Sequence, residues 1–195
     1  MAPMRLTHGF RDADRPAIAA LYWEAFGAKL GRALGPRDKA LAFVARVASP
    51  DHAVCAWGED GALLGVAGFR DAHGSLVGGG LADLAAVYGW AGALWRQALL
   101  ALLARDAEGG RFLMDGLVVA PEARGRGVGT RLLHAVADEA RRQGHRELRL
   151  DVVDENPRAR ALYERMGFRA VGRHSTGPLR HVFRFRAATT MALAL

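Results

Sequence analysis

The segment Leu117–Leu133 constrains the fold of this chain more than any other. Leu117, Val118 and Val119 form an apolar run that Pro121 ends, and Gly125, Gly127 and Gly129 follow at alternate positions. Val128, Leu132, Val136 and Ala140 then recur at helical spacing as far as Gln143, and Gly144 stands where a helix C-cap glycine belongs. A buried strand must therefore pass through a tight, side-chain-poor turn directly into an amphipathic helix. The first amides of such a helix lack intrahelical acceptors and sit at the positive end of its dipole. The alternating glycines remove side chains that would keep an anion away, and Arg124 and Arg126 add charge beside them. Arg124, Gly125, Arg126, Gly127, Val128, Gly129 and Thr130 together form a cradle suited to a diphosphate.

Several phosphate-binding designs share this logic, and the details separate them. A Walker-type loop needs a lysine before its Ser/Thr, and none is present in the segment. A dinucleotide fingerprint needs G-x-G-x-x-G, whereas Thr130 turns the pattern into G-x-G-x-G. Asp151 lies where a ribose-binding acid falls, but too little chain follows it to complete a doubly wound sheet. The bland alternative is a glycine-rich turn without a ligand.

Around this segment the pattern predicts a mixed sheet with helices on its faces. Met4–Thr7 reads as a strand, and Asp12 or Asp14 caps a helix with Pro16 in its first turn. Ile18, Leu21, Tyr22, Ala25 and Phe26 form the apolar stripe of that helix, and a second helix with Leu41, Val44 and Ala45 or Val47 inward follows Pro36. His52–Trp57 and Ala62–Arg70 form a hairpin about Glu59, Asp60 and Gly61. After Gly78–Gly80 a helix is expected over Leu84–Ala104. Strands follow at Arg111–Ala120 and Glu147–Val153, then a helix from Asn156–Pro157 to Met166, a strand from Phe168, and a closing strand from about Val182. The class is α/β with a mixed sheet, on one domain over 1–195.

The strand, turn and helix read as R-x-x-G-x-G from Arg124 through Gly127 to Gly129. This resembles motif A of the GNAT superfamily of N-acetyltransferases. A second segment, Asn156 through Ala159, Leu162, Tyr163 and Gly167 to Phe168, resembles that superfamily's motif B, N-x-x-A-x-x-L-Y-x-x-x-G-F. The resemblance covers about residues 110 to 172. It implies a mostly antiparallel sheet with one splayed parallel strand pair, acetyl-CoA as co-substrate with no metal, and transfer of an acetyl group to a primary amine.

The resemblance also implies roles. Backbone groups of Leu117, Val118 and Val119 would pair with the pantetheine arm like an added strand, and the amide of Val118 or Val119 would stabilise the oxyanion. Asn156 would hydrogen-bond the arm; its plain reading is a helix N-cap, and both can hold together. Tyr163 would protonate the leaving thiolate as general acid, against the alternative of a packed aromatic. Asp115 is the first choice for general base, with Asp151, Asp154 and Glu155 as alternatives and a merely solvated or capping carboxylate as the plain reading of each. His181 is a weaker choice for substrate contact.

Composition adds boundaries. The formal net charge of +7 comes almost wholly from arginine, Lys29 and Lys39 being the only lysines. Such a field attracts anions, but no aromatic-plus-basic stripe or DNA-reading motif supports a nucleic-acid partner. With Cys55 as the single cysteine no internal disulfide can form, which fits a reducing cytoplasm; it reads as a small buried group, leaving direct transfer. The N-terminal residues lack the continuous apolar core of a signal peptide. Leu81–Leu103 is interrupted by Asp83, Arg96 and Gln97, which suits a buried helix or helix pair better than a membrane span. Residues 74–110 read as an insert relative to the simplest members, covering the acceptor site or forming a homodimer contact, with Trp90 and Trp95 in core or interface. Two other functions compete: a non-catalytic CoA-binding regulator, and a basic nucleic-acid-binding module.

Overall fold

The computed structural model describes residues 4–103, 112–175, 177 and 185–195. Strands β1 (Met4–His8), β2 (Ala53–Gly58), β3 (Leu63–Arg70), β4 (Phe112–Val119), β5 (Glu147–Val153), β6 (Arg169–Ser175) and β7 (Ala187–Ala194) form one sheet in the order β1-β2-β3-β4-β5-β7-β6. Every pairing is antiparallel except β4 with β5. That parallel pair is short: Phe112, Leu113 and Met114 face Leu148, Arg149 and Leu150, and the paired register ends there although both strands continue. The sheet therefore opens into a gap between the later halves of β4 and β5.

The helices are α1 (Arg15–Leu34), α2 (Arg37–Val47), α3 (Leu81–Leu103), α4 (Val128–Arg142) and α5 (Pro157–Arg165). Helix α4 buries Val128, Leu132, Leu133, Val136, Ala137 and Ala140 against the sheet. Each fully buried Leu or Val there contributes about 1.5–3 kcal/mol, so this face anchors the helix whose start forms the cradle. Glu139 is also buried on α4. Burial alone would raise its carboxyl, but hydrogen bonds from Arg142 and Gln143 outweigh that and hold it below the ordinary range. A second cluster joins α1, α2 and α3 through Ala19, Leu34, Phe43, Val44, Leu84 and Ala93.

Several expectations need correction. Neither Asp12 nor Asp14 caps α1 with its side chain; the Asp14 carboxylate instead accepts from the Arg11 backbone and guanidinium. Ala25 is exposed, because α1 is buried on one side only where it crosses the sheet. Helix α3 begins at Leu81, not Leu84, and breaks at Gly89, whose φ of 70° and ψ of 163° a glycine adopts readily. Ala104 lies outside the described residues, as do Val182, Phe183 and Arg184 of the expected closing strand. Trp90 and Trp95 are exposed, by 67% and 47%, and so are not core. Among the described residues no helix is long and apolar enough to cross a membrane.

Candidate active site

The gap between β4 and β5 has two faces, and the alternation of β4 side chains assigns residues to each. Gly116 turns toward α1: a Cβ placed on it would meet the Phe26 ring at 2.8 Å, so only glycine lets α1 lie this close. Leu117 and Val119 turn the other way, within 3.8 and 3.6 Å of the position a Cβ on Gly129 would take; Leu162 of α5 lies 3.5 Å from the same point. The two motifs separated in sequence thus meet at Gly129.

On that second face the cradle is built as its sequence requires. Gly125 and Gly127 have φ of 74° and 79°, the left-handed region that disfavours other residues, and around both the space a side chain would fill is empty. Gly127 is the N-cap of α4 and offers no side-chain cap, leaving the first-turn amides of Val128, Gly129 and Thr130 without an intrahelical acceptor. The Arg124 Nε donates to the Val119 carbonyl at 3.2 Å, and its guanidinium stands 3.8 Å from Glu24. Arg126 is exposed beside them.

The β3–β4 ladder decides which backbone groups of β4 face the gap. The Ala120 amide donates to the Leu64 carbonyl at 2.9 Å, and Val118 stands opposite Val66. Antiparallel pairs alternate, so the amide and carbonyl of Val118 are directed at β3. Those of Leu117 and Val119 are directed at the gap. The expectation that Val118 offers its amide there is therefore not met by the geometry.

Asn156 is the N-cap of α5, its side-chain oxygen accepting from the Ala159 amide at 3.1 Å, which leaves its amide nitrogen for other partners. Tyr163 is buried, with its ring 5.8 Å from that of Phe168, and burial pushes its phenol up to about 12. Its hydroxyl makes no hydrogen bond among the described residues, yet is not sealed from solvent.

The first face carries the remaining chemistry. A bulge between β3 and β4, where Gly68 faces Gly116 but Phe69 faces Met114, leaves Asp115 as the extra residue. It sets Asp115 beside Gly116 on the α1 side. The Asp115 side chain is a quarter exposed, although its bulged backbone is open, and it lies 3.5 Å from the Arg70 guanidinium. Burial raises its carboxyl above the ordinary range, and Arg70 and His52 only partly offset this. Burial also raises the Tyr22 phenol, with the Asp115 charge adding to the effect. Tyr22 and Phe26 of α1, with rings 4.6 Å apart, wall this face.

Asp151 accepts from the Thr190 hydroxyl at 2.6 Å, Asp154 pairs with Arg173 at 2.5 Å, and Glu155 accepts from the Arg186 amide at 3.0 Å. Each of these alternatives thus already has a donor. His181 lies outside the described residues. Cys55 is fully buried, and burial pushes its thiol up to about 12, the state of an inert core group. No group of three or more metal-ligating side chains exists among the described residues. Sequence reasoning missed Tyr22, Phe26 and Arg70 as site residues. Their periodicity marked only core and strand, and no signal in the chain showed that α1 crosses β4 at Gly116.

A model of the Acetyltransferase (GNAT) family matches residues 15–168. The chain belongs to that family. Similar solved structures include an N-acetyltransferase from Staphylococcus aureus, 17% identical, covering 97% of this chain and all of that one, with a TM-score of 0.69. The Salmonella typhimurium protein YncA, solved with its cofactor acetyl-CoA, is 21% identical and covers 98% of this chain and 94% of its own, with a TM-score of 0.61. At these identities the likeness shows the fold. Among curated proteins, bovine thialysine N-ε-acetyltransferase is 33% identical over 87 residues, 45% of this chain and 49% of that protein. The match spans between about a quarter and a half of the length of the curated relatives.

Proposed function

We propose that this chain is an acetyl-CoA-dependent N-acetyltransferase that moves an acetyl group directly to a primary amine, on a single domain spanning 1–195. The observation that carries the reading is the joining of an uncapped, glycine-lined helix start to an open strand edge at the β4–β5 gap. In this reading Arg124, Gly125, Arg126, Gly127, Val128, Gly129 and Thr130 hold the pyrophosphate. The gap-facing amide and carbonyl of Leu117 and the carbonyl of Val119 pair with the pantetheine arm, and Asn156 adds a hydrogen bond from its amide nitrogen. Val118 serves by packing rather than by its backbone. The Val119 amide donates to the oxyanion.

The amine approaches from the α1 face. An amine whose conjugate acid has a pKa near 10 must lose a proton before attack, and Asp115 accepts it, directly or through water. A raised carboxyl pKa makes Asp115 a better base than an exposed aspartate. Nitrogen forms a bond to the thioester carbonyl, and the C–S bond then breaks with its electron pair leaving on sulfur. Tyr163 stands ready as proton donor. A phenol near 12 is a weaker acid than an ordinary thiol at about 8.5, so its hydrogen bond steadies the developing thiolate, and the proton that completes the thiol is the second one nitrogen loses as the amide forms.

The relative's substrate, an ε-amine, agrees with an amine acceptor but does not name this one. The proposal extends to a homodimer in which a second copy covers the α3 stripe of Trp90, Leu94 and Trp95, all about half exposed or more. Calorimetric titration with acetyl-CoA and with CoA tests the reading at its base. It predicts saturable binding of both, weakened by salt; no binding of either would remove it.

A further inference from the structure

Beyond the cofactor, the α1 face of the gap carries a cation, Lys29, that Glu155 balances only in part and that no carboxylate of the described residues pairs within 4 Å. Tyr22, Phe26 and Lys29 project from successive turns of α1. Tyr22 lies beside Asp115 and Phe26 over Gly116. The Lys29 ammonium reaches across to the Phe185 ring, 5.6 Å from its centroid. Phe185 precedes β7, whose first residue, Ala187, accepts from the Asp154 amide at the end of β5. Lys29 therefore bridges the mouth of the gap, from the helix over β4 to the far side beyond β5.

The charge states around it set its chemistry. Among the described residues Lys29 donates no hydrogen bond and makes no ion pair within 4 Å, although it is partly buried. Glu155 is the acid felt there, and its carboxylate is already engaged by the Arg186 amide. Burial lowers the Lys29 ammonium below its ordinary range, and Glu155 offsets this only in part. The other cation of this face, Arg70, is taken by Asp115. A partly buried ammonium with no hydrogen bond or ion pair to the described residues is a seat for an anion.

We infer that Lys29 selects acceptors bearing a carboxylate at the end remote from the reacting amine. This rests on the acetyltransferase reading. Two turns of α1 separate Tyr22 from Lys29, an axial rise of about 10 Å, which sets the scale of the separation between amine and carboxylate. A short ω-amino acid spans this distance, with its chain along Phe26. A diamine of the same length places a second cation against Lys29.

The test compares 5-aminopentanoate with pentylamine, and lysine with cadaverine, by thiol release in wild type, Lys29→Met and Lys29→Glu. Acetyl-CoA binding is measured beside each by calorimetry. The expected result is a KM at least tenfold lower for the carboxylate member of each pair in wild type. That preference collapses in Lys29→Met and reverses toward cadaverine in Lys29→Glu, with turnover of pentylamine and acetyl-CoA binding unchanged. An equal preference in wild type and Lys29→Met overturns the inference, as does acetylation of the plain amines alone or of none of the four while acetyl-CoA still binds. Loss of acetyl-CoA binding in the wild type would instead strike the underlying reading, and the inference with it.

Discussion

Replacing Gly127 separates the cradle's backbone geometry from its affinity for an anion. Its φ of 79° costs a residue with a Cβ about 1–2 kcal/mol. The lower entropy of the unfolded chain returns about 0.4–1 kcal/mol, so Gly127→Ala should lose at most about 1.5 kcal/mol. At about 2–4 °C per kcal/mol for a chain of this size, its Tm should fall by no more than about 6 °C. A Cβ at this position meets nothing within 4 Å, so the methyl group itself clashes with no protein atom. Gly127→Glu suffers similar strain but brings a carboxylate to the helix start. Two unit charges about 4 Å apart, at an effective dielectric constant of about 20, repel by about 4 kcal/mol. With about 1.4 kcal/mol per tenfold, acetyl-CoA should bind Gly127→Glu on the order of a thousandfold more weakly, and Gly127→Ala less than tenfold more weakly. Calorimetric titration of all three proteins, with melting curves to show they are folded, reads both quantities. A folded Gly127→Glu that binds acetyl-CoA within fivefold of Gly127→Ala would refute the assignment of the anion to these amides.

Other parts of the structure give sharp expectations. Asp115 must be deprotonated to act as base, so activity should rise with pH through its raised pKa; Arg70→Met removes a lowering influence and should move this acid limb to higher pH, while Asp115→Asn abolishes the limb and most of the rate. A limb unmoved by Arg70→Met would release Asp115 from the role. The Glu139 carboxyl is held below its ordinary value, so its contribution to stability is present above about pH 4.3 and is lost as pH falls through its folded pKa. Tm in Glu139→Gln should therefore depend less on pH in this acid range than in wild type, as followed by circular dichroism. Combined replacement of Trp90, Leu94 and Trp95 by serine should leave the monomer folded, with about 0.5 kcal/mol or less lost at each exposed position, and abolish self-association in sedimentation experiments. Unfolding instead would make α3 core.

The parts legible in the sequence were those whose physics is local. The β4–α4 unit could be read because three glycines, an apolar run and a helical stripe agree on one arrangement, and α5 because Asn156 and Gly167 mark both its ends. The opening of the sheet after Met114 followed only from the resemblance, since nothing in Gly116–Val119 distinguishes a paired strand from a splayed one. The bulge at Asp115 was not legible, because it arises from how β3 and β4 register against each other. Tyr22 and Phe26 were visible as a helix stripe, yet their place at the gap depends on α1 crossing Gly116, a tertiary fact. Lys29 read only as one of two lysines in an arginine-rich chain. Gly89 could equally have sat within a continuous helix, and its positive φ decided otherwise.

The most direct test of the central claim is amine-dependent thiol release from acetyl-CoA, measured across a panel of primary amines with the acetylated product identified by mass spectrometry. The account predicts thiol and acetylated amine in equal amounts, with both lost in Gly127→Glu. Tight acetyl-CoA binding with no amine-dependent release anywhere in the panel would contradict it and leave a protein that binds the cofactor without using it.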